Sequence, residues 1–410
     1  MSARARITHR ARAVGRGLGG RALSLAESVR VRRDPPGELG RGIVLIGTVW
    51  PGGSAQPFDG VVIVDARGIV DYVGPGGAST VPGDLLVLGG PGRWIGPGVV
   101  DAHVHLAVPR ADRSNVGPNP ALDAAWLRGG VVTVRDLGAP PGLARSMGTG
   151  RRRPTGQQPG VAVAGPILTA PRGYPSRSWG RAGFTTFVSS PAQARQVVQR
   201  VAAGGADVIK IALEPGEQGD PVPEPGVVRA VVGAAHDAGL ACVAHALDVD
   251  MVRRAVAAGV DELTHTPSER LPARLVDEIA AARIPVVSTL QTFFTAGVGR
   301  SAAQNAADLH RAGVVLRYGT DFGNAGTRAG VDPRELDRLA DTGLGRLGAL
   351  RAATEHAAAS PGVTGRTGRL EVGRPAALVL LSADPLAEPG VWRWPLAVIA
   401  DGRLLLCEGA

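Results

Sequence analysis

From residue 96 onward the sequence alternates between two textures, and that alternation limits the folds open to it. Apolar, β-branched runs fall at 96–106, 130–136, 161–168, 206–213, 240–246, 258–265, 283–290 and 314–320. Most are separated by Ala-rich stretches of helical period, such as PAQARQVVQRVAAGG and PGVVRAVVGAAHDAGL. Strands that alternate with helices pair in parallel, because a crossover must carry the chain back to the same edge of the sheet. Eight such units over roughly 260 residues is the size of a (β/α)8 TIM barrel. A doubly wound open sheet is the α/β alternative.

The two ends of the chain have a different pattern. GIVLIGTVW and DGVVIVDARGIVDYVG on one side, and LEVGRPAALVLLSADPL and PLAVIADGRLLL on the other, are strand–turn–strand. They predict a small β-sandwich-like domain assembled from residues 43–95 and 362–410, with the barrel occupying 96–361. Residues 1–42 carry ten arginines and three acidic residues, hence +7 of the chain's +9. A basic leader of this kind is expected to be a solvated, disordered tail, so the net charge does not make the protein a nucleic-acid binder. No apolar run of about 18 residues is available to cross a membrane. Two cysteines, Cys242 and Cys407, form no disulfide framework and suit a reducing, cytoplasmic setting.

Polar residues then concentrate where the strands end. VVDAHVHL carries His103 and His105, whose i, i+2 spacing on a strand points both imidazoles to one side, toward a shared metal ion. ACVAHAL ends a strand with His245, VDELTHT with His265, and RYGTDFGN with Asp321. In a barrel these ends converge on one face. The remaining histidines, His9, His236, His310 and His356, fall in the tail or on helical segments and are expected at the surface or at helix ends.

Lys210 is the only lysine in the chain, against 44 arginines, and it lies in the apolar run GADVIKIAL at a strand end. An amine held neutral by nearby cations can add carbon dioxide to give a carbamate, an anion able to bridge two metal ions. A guanidinium stays protonated and cannot do this. The one site at which arginine would fail is the one that kept lysine.

Taken together, GVVDAHVHL, GVVTVRDLG, ADVIKIAL, VAHA, AGVDELTHT, YGTDFGN and GRLEVGRPAALVLLSADPL resemble the amidohydrolase superfamily, metal-dependent hydrolases on a TIM barrel. The resemblance runs through nearly all of 43–410 and is nearest to the branch of prolidases and carboxypeptidase-like enzymes. It implies that His103 and His105 hold a buried metal, that carboxylated Lys210 bridges two ions, and that His245 and His265 hold the second. Asp321 would contact the first metal and act as general base. Departures include TAPRGYPSRSWG where many relatives have Gly-Gly-His after the third strand, which leaves dipeptide specificity open. Thr264 stands before His265 where Glu is common.

Two divalent ions, zinc by default with manganese, iron or cobalt left open, would activate water for amide, carbamate or ester hydrolysis. The alternatives are a mononuclear deaminase, in which Asp248 would serve as the acid after the fifth-strand histidine, and a catalytically inactive barrel that only binds. As a plain structural residue Asp248 would cap a helix. Loops 171–189, 290–299 and 322–333 hold seven of the 15 aromatics. They suggest a small-molecule substrate with an apolar part contacting Tyr174 and Phe293, and a carboxylate near Arg172 or Arg177. The family resemblance is compatible with a homo-oligomer.

Overall fold

The computed structural model describes residues 42–76, 85–107, 120–142, 158–181, 183–216, 219–363 and 367–406. The basic segment expected as a tail lies outside these residues, apart from Gly42. So does Cys407.

Strands β1 (Ile43–Val49), β2 (Phe58–Val64), β3 (Val70–Pro75) and β4 (Leu86–Pro97) open the described chain. The next strands are β5 (Val99–Val104), β6 (Val131–Asp136), β7 (Gly160–Val163), β8 (Ile167–Thr169) and β9 (Thr185–Phe187). They continue as β10 (Ile209–Leu213), β11 (Cys242–Ala246), β12 (Glu262–Leu263), β13 (Val286–Val287) and β14 (Leu316–Arg317), and β15 (Leu378–Leu381), β16 (Ala397–Ala400) and β17 (Arg403–Leu406) close the chain. The first four and last three share one mixed sheet in the order β17-β16-β15-β4-β1-β2-β3. Ile43, Leu45, Val62, Leu378 and Ile399 form part of its buried apolar layer.

The other strands form two parallel sheets, β5-β6-β7 and β14-β13-β12-β11-β10-β8-β9. Backbone hydrogen bonds tie them together on both sides. Asp207 N donates to Val163 O at 2.8 Å, beside β7 and β10. Across the other seam Ala102 N donates to Tyr318 O (3.1 Å), Asp321 N to His103 O (2.8 Å) and His105 N to Phe322 O (2.7 Å).

Two expected runs are broken, each for a backbone reason. The run 96–106 crosses from the mixed sheet to the parallel one at Gly98, where a Cβ would come within 2.4 Å of Val132. The run 161–168 divides at Ala164-Gly165-Pro166, where Gly165 has φ +70° and Pro166 has no N–H to give the ladder. Segment 290–299, expected as loop, contains the helix Leu290–Thr295.

The helices carry the end signals their sequences suggest. Pro191–Ala203 starts with Pro at its first position and Ser190 as cap, whose side chain accepts from Gln193 N. Val249–Ala258 is capped by Asp248, which accepts from Met251 N at 2.8 Å, and ends on Gly259 in the left-handed conformation. Their apolar sides, Val197 and Val198 in one and Val252 and Ala255 in the other, pack on the parallel strands within the main core. Burying one such valine contributes about 1.5–3 kcal/mol. Among the described residues no helix is long and apolar enough to cross a membrane.

Candidate metal centre and active site

Residues of β5 alternate, so Asp101 and His103 face the interior and His105 follows just past the strand end. Asp101 holds this end in place. It accepts from His103 N (3.2 Å), Thr320 N (3.0 Å) and Thr320 Oγ1 (2.5 Å). Burial pushes its carboxyl up to about 7, against the pull of the Thr320 hydrogen bonds. Asp136, at the end of β6, accepts from Leu106 N at 2.8 Å and Gly138 N at 3.0 Å, which sets the turn after His105.

His103 Nδ1 lies 2.7 Å from the carbonyl oxygen of Thr264. A carbonyl only accepts, so the proton sits on Nδ1 and the lone pair on Nε2. That Nε2 is 3.3 Å from His105 Nε2, and both are 3.4 Å from Asp321 Oδ1. Asp321 Oδ1 is buried with no hydrogen-bond donor among the described residues. Around a tetrahedral cation with bonds of about 2.0–2.1 Å, ligand atoms stand about 3.3–3.4 Å apart. The His103–His105–Asp321 triangle therefore has the dimensions of a divalent-metal site, and its neutral imidazoles and carboxylate are the right donors. Asp321 itself sits at φ 53°, a conformation uncommon for a residue with a side chain, which turns its carboxylate toward the two histidines.

The other predicted residues gather around this triangle. The ring centroids of His103 and His265 are 4.5 Å apart, and those of His245 and His265 4.7 Å apart. His265 Nδ1 bonds the Thr289 hydroxyl at 2.9 Å. Lys210 Nζ donates to Thr264 Oγ1 at 2.5 Å, and that hydroxyl donates to Ala244 O at 3.1 Å. Thr264 thus orients two of the candidate ligands, one through its carbonyl and one through its hydroxyl. Burial lowers the pKa of all four imidazoles, with the Lys210 charge adding to it, and His105 falls to about 3. They are neutral and free to ligate at ordinary pH. Burial likewise lowers the Lys210 amine and raises the Asp321 carboxyl, while the attraction between the two works against both shifts.

A cavity of about 130 Å³ opens on these groups, lined by His105, Lys210, His245, His265 and Asp321 together with Tyr174, Trp179 and Phe293. Each aromatic ring stands beside a histidine: Tyr174 by His245 (5.2 Å between centroids), Trp179 by His105 (4.9 Å) and Phe293 by His265 (6.0 Å). Trp179 Nε1 donates to the Tyr174 hydroxyl at 3.2 Å. Arg172 is exposed and is not among the lining residues, and Arg177 pairs with Asp220 at 2.8 Å. The residue that sequence reasoning missed is Glu214. It stands four positions past Lys210, in a stretch that reads as the start of a loop, with its Oε2 3.7 Å from His245 Nε2.

A parallel α/β chain that carries such a donor set at its strand ends, opening on a closed-in cavity, is of the metal-dependent hydrolase class. The chain belongs to the amidohydrolase family, whose model matches residues 94–405, and is a hydrolytic enzyme acting on carbon–nitrogen bonds. An uncharacterized protein of Mycobacterium tuberculosis is 26% identical over 376 residues, spanning 84% of this chain and 94% of that one. Among solved structures, a prolidase complexed with N-methylphosphonate-L-proline is similar with a TM-score of 0.72 at 24% identity, covering 90% of this chain and 100% of that one. A molinate hydrolase is similar with a TM-score of 0.74 at 20% identity, covering 89% and 94%.

Proposed function

We propose that this enzyme hydrolyses an amide-type C–N bond, in a peptide, N-acyl amino acid, carbamate or related ester, at a centre of two divalent cations. Zinc is the cation that best suits the imidazole and carboxylate donors. The observation that carries this reading is the convergence of His105, Lys210, His245, His265 and Asp321 on one cavity, with His103 completing the triangle behind it. His103, His105 and Asp321 would hold one ion, His245 and His265 the other, and Lys210, as its carbamate, would bridge them. Burial that favours the neutral amine supports the carbamate, because only the neutral form adds carbon dioxide. In the same reading the two parallel sheets are arcs of one (β/α)8 barrel, supported by the backbone bonds at both seams. The mixed sheet is then the small second domain of residues 43–95 and 362–410, in a cytoplasmic enzyme.

When bound, the cations supply Lewis acidity and lower the pKa of water. The rest falls to the chain. Asp321 directs Oδ1 at the two histidines, which leaves Oδ2 to take a proton from the attacking water and return it to the departing nitrogen. The Tyr174 hydroxyl accepts from Trp179, so its own hydrogen is free for a substrate oxygen, and burial raises its pKa and keeps it neutral. Tyr174, Trp179 and Phe293 exclude water and offer an apolar wall. With Arg172 turned outward and Arg177 engaged by Asp220, an apolar group is the better-supported specificity feature than a carboxylate.

The first test is metal content per chain, by mass spectrometry of protein purified without chelator. Near two equivalents are expected; fewer than two would overturn the two-cation proposal. A panel of N-acyl amino acids, dipeptides, aryl esters and carbamates then tests substrate class. Trp179→Ala is expected to raise KM for the apolar members by about 10-fold or more, the scale of one buried aromatic contact. Turnover confined to small polar amides would remove the apolar assignment. That Asp248 caps the helix Val249–Ala258 supports the hydrolase reading over the deaminase alternative.

A further inference from the structure

We propose that Glu214 is a further ligand of the cation assigned above to His245 and His265, an inference that rests on the two-cation reading. Lys210, Ala212 and Glu214 follow each other at i, i+2 and i+4 along β10 and the residue just beyond it. Lys210 and Ala212 both line the cavity, so strand alternation turns Glu214 to the same interior side. Ile209, Ile211 and Leu213 occupy the opposite parity and belong to the main apolar core.

The side chain is 13% exposed, and its Oε2 is enclosed with no hydrogen-bond donor among the described residues. His245 Nε2, 3.7 Å away, is likewise enclosed with no hydrogen-bond partner among the described residues. Two polar atoms hidden from water, adjacent and unsatisfied, are costly unless something between them takes both lone pairs. A divalent cation does so. Among the described residues no arginine or lysine forms an ion pair with Glu214. With the Asp321 carboxylate and a carbamate at Lys210, Glu214 brings the anionic charge of the centre to three against four from two divalent ions. That leaves a net single positive charge for the reacting oxygen.

Zinc alone is the probe, added to metal-free protein in competition with a chromogenic chelator, for wild type, Glu214→Gln and Glu214→Ala. One of the two zinc equivalents is expected to weaken more than about 100-fold in both variants, beyond the 10–100-fold typical of an outer-shell partner. The other equivalent should hold its affinity. Without metal, both variants should unfold at or above the wild-type temperature, because an unsatisfied buried carboxylate has been removed. This control separates loss of a ligand from loss of fold. Glu214→His, which keeps a donor, should recover part of the affinity.

Two wild-type-like equivalents in Glu214→Gln, or weakening that stays within the outer-shell range, would overturn the ligand assignment and leave the two-cation reading intact. A wild type that binds fewer than two equivalents would overturn both.

Discussion

Lys210→Arg is expected to reduce bound metal from near two equivalents per chain to one or fewer. With one cation gone, the Lewis-acid contribution of several kcal/mol goes too, which is roughly 10³-fold in rate. The physical cause is specific to this exchange. Arginine keeps the positive charge that lysine is able to lose, and places it beside His265, His105 and His245, where cations are to bind. It also cannot donate a single compact hydrogen bond to Thr264 Oγ1 in the same space. Mass spectrometry of the variant reads the metal directly, and circular dichroism reports whether the fold is retained. A second measurement isolates the carbamate. Metal-free wild type should take up its full complement only when bicarbonate is present, whereas Lys210→Arg should be indifferent to it. Full metal loading of Lys210→Arg would refute the bridging role.

Glu262→Ala is expected to destabilise the protein by about 3–5 kcal/mol, the cost of stranding buried charge. Glu262 is wholly buried and bonds two guanidiniums, those of Arg135 and Arg317. Arg135 is itself fully enclosed, with Nε on Ala102 O at 2.8 Å and a terminal nitrogen on Pro361 O at 3.2 Å. Burial pulls its pKa down, and the Glu262 carboxylate is the main force holding the charge in place. Arg317 donates in addition to Ala359 O at 3.0 Å. Without Glu262 two cations would face each other in the interior. Replacing Arg135, Glu262 and Arg317 together by apolar residues of similar volume should restore much of the loss, because the desolvation penalty disappears with the charges. Midpoints of urea unfolding for the single and triple variants check both statements. A Glu262→Ala midpoint equal to wild type would show that water reaches the triad.

Much of the centre is legible in the sequence because metal chemistry restricts residue type. His103 and His105 share a strand face by parity, and a single lysine against 44 arginines draws attention to Lys210, which lines the cavity with His105, His245 and His265. Glu214 escapes for the opposite reason. An acid before Pro215-Gly216 has the composition of any surface turn, and only three-dimensional proximity to His245 distinguishes it. Strand extents are also hard to read. The run 258–265 suggests a long strand, yet its ladder is only Glu262–Leu263, because the run opens on the helix end Ala258 and its cap Gly259, and beyond Leu263 the Thr264 carbonyl takes His103. Arg172 looks suited to a substrate carboxylate in a linear sequence, but its backbone sits at φ 65° and the side chain is exposed. Side-chain direction in an irregular loop has no periodicity from which to be inferred.

The seam between β5 and the segment after β14 has a consequence for how the protein is made. His103 and His105 are on one side of it and Asp321 on the other, 321 − 103 = 218 residues apart. A nascent chain therefore exposes a two-histidine fragment of the first metal site long before the carboxylate that completes it has been synthesised. Contacts of such long sequence separation form late, after the entropy of closing the intervening loop has been met. On the proposed reading, the complete three-ligand set of this site exists only after translation has passed Asp321, so selection among cations by all three ligands would fall to a largely synthesised chain.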